Sequence, residues 1–308
     1  MPLLDHLRFN AILVMIEIEK GFTKGFQMRM FKAWANARPL ATAFLFLLVA
    51  ALYFLAPIVS VDPSQLFGNG ERDVGAESFA QVLWPEIRLA AAILIAVVLI
   101  GWVRRTRLAT WPRWSTLLLT VPFIAFCIFV IISPILVSES GAADVTLTQA
   151  DWQSIWMACL VAILVGFFEE LLFRGVVLQA LLTRMNGGLA VIIAAIIFGL
   201  FHYVNWVSGQ PLGVTTMQVL GAMAIGLLFG AFVLWTGSIW PSIFLHGLWD
   251  SSVSVSQTLQ ANVSPTGDVA EVIFDPWSAL ASPPMIYGVL LLVLWVFFDR
   301  RKRKATSV

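Results

Sequence analysis

The sequence predicts an all-α, polytopic membrane protein, and three observations carry that prediction. Apolar residues fill 59% of the 308 positions and charged residues only 12%, too few charges to keep a soluble domain dispersed. Apolar runs close to the ~20 residues that cross a bilayer as helix recur along the chain. Lys and Arg collect in alternate connections between those runs.

About eight transmembrane helices are expected, at 40–60, 86–103, 116–137, 154–173, 189–206, 217–235, 238–254 and 284–298. Arg8, Lys20, Lys24, Arg29, Lys32 and Arg38 precede the first. Arg104, Arg105, Arg107 and Arg113 follow the second, Arg174 and Arg184 the fourth, and the run Arg300–Lys304 the last. With the amino terminus inside and an even number of spans, 17 of the 19 basic residues fall on one side; Arg72 and Arg88 fall opposite. The positive-inside rule then expects both termini in the cytoplasm, and the expected location is a bacterial inner membrane.

The chain divides into a basic leader (1–38), three spans (39–153), a core carrying the polar motifs (154–298) and a basic tail (299–308). Within the leader, residues 7–32 fit either a helix lying in the cytoplasmic interface or a frayed basic segment. The short apolar run 10–16 ends at Glu17 and Glu19 with no small-residue cleavage site, so no signal peptide is expected. Cys127 and Cys159 lie in apolar runs and have neither disulfide nor zinc spacing. A net charge of +1 gives no reason to expect nucleic acid as a partner. The bilayer and a membrane-associated peptide or protein are the partners expected; the oligomeric state is not legible.

Ionisable groups inside a span are costly and mark function by default. Residues 167–174 read FFEELLFR, placing Glu169 and Glu170 in the fourth span and Arg174 at its end. Glu170 and Arg174 are four residues apart and share a helix face; Glu169 points about 100° away from Glu170. The bland reading of Glu170–Arg174 is a buried pair that holds the helix, and that is the role expected of Glu170. Two of the three histidines, His202 and His246, also lie in apolar spans, and Asp250 follows His246 by one turn. Either histidine could instead serve only packing or interhelical hydrogen bonding.

The turn signal Met185-Asn186-Gly187-Gly188 joins the fourth and fifth spans. Glu169 lies about 25 Å before it and His202 about 21 Å after it, at ~1.5 Å per helical residue. In an antiparallel hairpin the two therefore meet at one level, and the site is expected in a cavity between spans four, five and seven. A carboxylate, two imidazoles and a second carboxylate supply a base for water and groups to hold oxyanion charge. The same set also resembles a His/His/carboxylate metal site.

These residues stand in an ordered pattern. Glu169-Glu170-Leu171-Leu172-Phe173-Arg174 is followed by Phe198-Gly199-Leu200-Phe201-His202 and then by His246-Gly247-Leu248-Trp249-Asp250. Over about 169–250 the sequence resembles the CAAX protease and bacteriocin-processing (CPBP, or Abi) family, which includes the type II CAAX prenyl endopeptidases. The resemblance implies an intramembrane endopeptidase of the glutamic type. It makes Glu169 the general base, with His202 helping to activate water. His246 and the residue at 250 stabilise the oxyanion, and Glu170, Arg174 and Phe198 support the site. One position departs from the pattern: prenyl endopeptidases typically carry asparagine where this chain has Asp250. An ionised aspartate repels an oxyanion, so Asp250 acts either protonated or by orienting His246. No cofactor is required on the first reading. Zinc is possible, and His202, His246 and Asp250 are then its ligands, although no H-E-x-x-H arrangement is present.

Two other function classes compete with the peptidase. A non-catalytic membrane scaffold or immunity factor could use the same fold, but has no need of Glu169. A proton-coupled transporter could use Glu169, His202 and Asp250 as a relay, but its groups are expected to line a path, and these cluster at one depth.

Overall fold

A computed structural model describes residues 26–59, 79–137, 146–263 and 276–306. The described residues contain helices and turns and no strand. The ordered elements are α1 (Phe26–Ala37), α2 (Pro39–Val59), α3 (Phe79–Leu99), a 3₁₀ turn (Trp114–Thr120) running into α4 (Val121–Val137), and α5 (Gln149–Glu170). A π-helical stretch (Leu171–Val177) and a last turn (Leu178–Leu181) extend α5. After these come α6 (Gly187–Phe201), α7 (Tyr203–Val207), α8 (Leu212–Thr236), α9 (Trp240–Val263), α10 (Pro276–Leu280) and α11 (Pro283–Thr306).

Each of the eight expected spans overlaps one long helical stretch. Among the described residues, six stretches are long and apolar enough to cross a membrane: Pro39–Ala56, Trp114–Leu136, Gln149–Leu181, Gly187–Val207, Leu212–Thr236 and Pro283–Arg301. This is an integral membrane protein of all-α fold. Neither α3, whose side chains are described only from Leu83, nor α9 is among the six. Helix α9 has the length of a span, but His246, Asp250 and a series of serines make it too polar, so the third motif is not in an apolar span as expected.

Several boundaries differ from the expectation. The fourth span does not stop at 173 but runs on as helix to Leu181. The fifth is broken at His202. Between the seventh and eighth expected spans, residues 255–263 continue α9 and 276–280 form α10, while 264–275 lie outside the described residues. The leader is helical from Phe26, and its earlier residues, including most of the expected interfacial helix, also lie outside them.

Local chemistry sets the helix ends. Thr148 caps α5 in a capping box: its hydroxyl accepts from Asp151 N, and Asp151 Oδ2 accepts from Thr148 N at 2.8 Å. Asn186 caps α6 by accepting from Leu189 N at 3.0 Å. Gly237, at φ 77°, ends α8 in the left-handed conformation that a side chain disfavours.

The basic segments gather at one end of the bundle. Arg107 donates to Gln179 Oε1 and to the Gly237 carbonyl, Arg113 N to the Thr236 carbonyl, and Trp240 Nε1 to the Leu108 carbonyl. Trp102, fully buried, donates to Asn36 of α1 at 3.1 Å. At the same end Trp295 of α11 donates to the Leu234 carbonyl. The loop after α3, the turn after α8, the end of α5 and the chain ahead of α2 thus form one continuous layer.

Helix α8 lies at the centre. It has no charged residue, and 13 of its 25 residues are buried, the whole run from Ala224 to Val233 among them. It packs on α6, α11 and α9. Helix α9 in turn packs on α5, and it is this pairing that assembles the polar motifs.

Candidate active site

Two glycines set the geometry. A Cβ on Gly166 of α5 would lie 2.8 Å from Gly247 N, and one on Gly247 of α9 would lie 3.3 Å from Ile163 Cα. Without side chains at these positions the two backbones come into contact, as small residues permit between membrane helices. Gly166 lies one turn before Glu169 and Glu170, and Gly247 lies beside His246. The close approach therefore delivers both glutamates to the imidazole.

His246 is 5% exposed and sits at the centre of the cluster. Its Nδ1 lies 2.9 Å from Glu170 Oε1. Its Nε2 lies 3.6 Å from Glu169 Oε2 and 3.5 Å from Asp250 Oδ2. The one-turn spacing of His246 and Asp250 thus holds. Glu170 does more than the helix-holding role expected of it, because it accepts from the ring nitrogen opposite the one that faces the other two acids. That contact fixes the ring and leaves Nε2 for chemistry.

Glu170 Oε1 also lies 2.8 Å from Arg174 Nη1, as the i,i+4 spacing predicts. The contact is an ion pair by distance, but its angles fall outside hydrogen-bond geometry, and both Nη atoms of Arg174 lack a hydrogen-bond partner among protein atoms. Arg174 is 2% exposed and Glu170 fully buried, so each charge offsets the desolvation of the other. The guanidinium also lies 4.2 Å from the centre of the Phe198 ring and 5.6 Å from that of Phe229. This gives the phenylalanine of the second motif a physical reason: its face receives the buried cation. The same ring stands edge to face with His202 and His246, with centroids 4.9 and 5.9 Å away.

His202 occupies the break between α6 and α7. Its Nδ1–H donates to the Phe198 carbonyl at 2.9 Å, so the neutral ring presents Nε2 as an acceptor. His202 and Glu169 line one small cavity of about 120 Å³, in agreement with the hairpin arithmetic. On its other side His202 lines a larger cavity of about 480 Å³ together with His246, Asp250, Phe198 and Trp249. Ala279, Ser282 and Pro284 close part of that cavity, so the segment leading into α11 caps it. Asp250 and Ser254 also line a third cavity, about 800 Å³, between α5 and α9.

Sequence reasoning missed two features. The first is the π-helical stretch Leu171–Val177, in which Leu178 N reaches back five residues to the Phe173 carbonyl. Such stretches are rare and frequent at functional sites, and this one begins immediately after Glu170 and contains Arg174. The LLFRGVV string carries no composition signal for it. The second is the Gly166–Gly247 contact, which was findable: each glycine lies within one turn of an ionisable motif residue in an otherwise bulky run.

Among the described residues no group of three or more His, Cys, Asp or Glu side chains is arranged to hold a metal ion. The zinc alternative needs His202, His246 and Asp250 to converge on one point. As arranged, these three do not form such a set; the Nδ1 contacts of His246 with Glu170 and of His202 with the Phe198 carbonyl leave each Nε2 open and do not themselves oppose metal binding.

Residues 151–252 match the family model described as type II CAAX prenyl endopeptidase Rce1-like. The match runs from the first turn of α5 into α9 and encloses all three motifs, so the resemblance read from them holds. Comparison with curated proteins and with solved structures returned no match.

Proposed function

We propose that this chain, which carries an Rce1-like CAAX-type protease domain in residues 151–252, hydrolyses a peptide bond of a lipid-anchored or membrane-associated protein or peptide with water activated by Glu169 and His202. The observation that carries the proposal is the posture of His246. Nδ1 is tied to Glu170, while Nε2 is turned to Glu169 and Asp250 at the wall of a cavity of about 480 Å³.

The steps follow from that arrangement. A substrate carbonyl enters the cavity beside His246 and Asp250. Water between Glu169 and His202 gives a proton to Glu169 as its oxygen bonds to the carbonyl carbon. The imidazolium form of His246 donates Nε2–H to the developing oxyanion, a stabilisation worth roughly 3–4 kcal/mol in well-formed oxyanion holes. Asp250, when protonated, is a second donor; when ionised, it serves to orient His246. Glu169 then returns its proton to the leaving amine. Glu170 and Arg174 keep the ring and helix in place throughout.

The proposal has a topological counterpart. The basic layer at one end of the bundle supports a cytoplasmic location for it and for both termini. Reporter fusions at either end should be active only in the cytoplasmic sense.

The decisive experiment is peptidase activity of the purified protein in lipid, against a prenylated CaaX peptide and a pool of membrane proteins, with and without chelator. Cleavage by the wild type in chelator, lost in Glu169→Ala, His202→Ala and His246→Ala, is the expected result. Activity lost in chelator and restored by zinc would replace the metal-free chemistry. A folded wild type that cleaves nothing in the pool would return the scaffold reading.

A further inference from the structure

One carboxylate at the site belongs to none of the three motifs and lies outside the matched segment. Glu86 is on α3, which packs against α5. It lines the cavity of about 120 Å³ together with Glu169 and His202, and Phe54 of α2 closes the same cavity. Glu86 Oε2 is buried and has no hydrogen-bond partner, and so is Glu169 Oε2. A buried carboxylate oxygen without a partner is expensive and calls for an explanation. A polar cavity of this size has room for several waters. The polar groups lining it are two carboxylates, the amide of Asn205 and an imidazole whose neutral form presents Nε2 as an acceptor. This is a cradle for water, not for an apolar ligand.

We infer that Glu86 is a further water-holding residue of the site: its carboxyl, with Glu169 and His202, brackets the water that attacks the substrate. The inference rests on the protease reading above. One water proton passes to Glu169 as the oxygen bonds to the carbonyl carbon. The second stays on that oxygen, its hydrogen bond shared between Glu86 and His202 Nε2, and leaves with the product carboxyl group. When the C–N bond breaks, the leaving nitrogen takes the proton held by Glu169. Glu86 gains and loses no proton over the cycle. The first three helices, which carry no motif, then supply one wall of the reaction chamber and are required for turnover.

The test uses the full chain in lipid vesicles with a peptide that the wild type cuts, and Glu169→Gln as the inactive reference. Glu86→Leu should lower kcat about tenfold to a hundredfold and leave KM and the unfolding temperature unchanged, because a misplaced reactant costs on that scale. Glu86→Gln, whose amide oxygen still accepts the hydrogen bond, should restore part of the loss. A purely structural role would instead shift the unfolding temperature of both variants together with their activity. The second readout is a structure of wild type and Glu86→Leu at a resolution that shows waters. The wild type should hold a water between Glu86 and Glu169 that the variant lacks. Wild-type kcat in Glu86→Leu, or no bridging water in the wild type, overturns the inference. A wild type that cleaves nothing but holds the bridging water refutes the protease reading and leaves the water site standing.

Discussion

The two halves of the bundle are held together differently. In 149–263 the interior contains charge: Glu170, Arg174 and His246 are at most 5% exposed, and helix backbones touch through glycine. In 39–137 the helices turn large apolar side chains outward, among them Phe44, Leu52, Ile128 and Leu136. Polar ties of the described residues here include Tyr53 to the Pro85 carbonyl and, to the helix ahead of this half, Trp102 to Asn36. Lipid is as apolar as leucine, so hydrophobicity cannot choose which helices meet in a bilayer. Small-residue contacts and paired charges can, and they are concentrated in the half that carries the motifs. The difference predicts that substitutions in the second half are severe and those in the first graded.

The largest effect is expected at Glu169. Glu169→Gln keeps the volume but removes the base, and turnover should fall by about 10²–10⁴-fold while the protein stays folded. Cleavage rate beside thermal unfolding in the same detergent checks both halves of the statement.

The buried pair comes next. Arg174→Leu or Glu170→Leu alone leaves an uncompensated buried charge and should destabilise by ~3–5 kcal/mol. The double substitution should cost much less than the sum of the singles, because it removes both charges. A double-mutant cycle on unfolding free energy measures the coupling. Additive losses would show that the pair does not act as a unit.

Backbone contact is the third lever. Gly166→Val and Gly247→Val force α5 and α9 apart and should each cost ~1–3 kcal/mol, with turnover lost beyond what the fraction unfolded explains. Substitution of outward-facing Leu52 by alanine, at a position without close neighbours to displace, should leave both quantities near wild type. Equal sensitivity at the two kinds of site would break the comparison between the halves.

The chemistry was more legible in the sequence than the packing. Glu170–Arg174 and His246–Asp250 met as helical spacing required, and turn arithmetic brought Glu169 and His202 to one cavity. Those inferences used only rise and angle per residue, which local backbone geometry fixes. What resisted reading depends on neighbours distant in sequence. The π-helical stretch after Glu170 changes hydrogen-bond partners without changing composition. Helix α9 is too polar to read as an apolar span: His246, Asp250 and Ser254 line cavities, and Ser242 and Ser252 are buried with their hydroxyls on backbone carbonyls. Nothing in the sequence singles out Glu86, since its relation to Glu169 exists only once α3 packs on α5.

The smallest predicted effect is also the finest probe of the border between the halves. Tyr53 of α2 donates to the Pro85 carbonyl at 2.8 Å, one residue before Glu86. Proline inside α3 removes one backbone donor, and the tyrosine bond holds the chain at that point from outside the helix. Tyr53→Phe deletes the bond with little change in volume and should cost ~0.5–1.5 kcal/mol of stability. If the amino-terminal helices only shield the core from lipid, turnover per folded molecule stays at the wild-type value. If α3 carries part of the water cradle, a small drift of Glu86 lowers kcat measurably while KM holds, and Glu86→Leu abolishes any further effect of Tyr53→Phe. That non-additivity, read from kcat of the single and double variants, links a hydrogen bond at the edge of the bundle to the water at its centre.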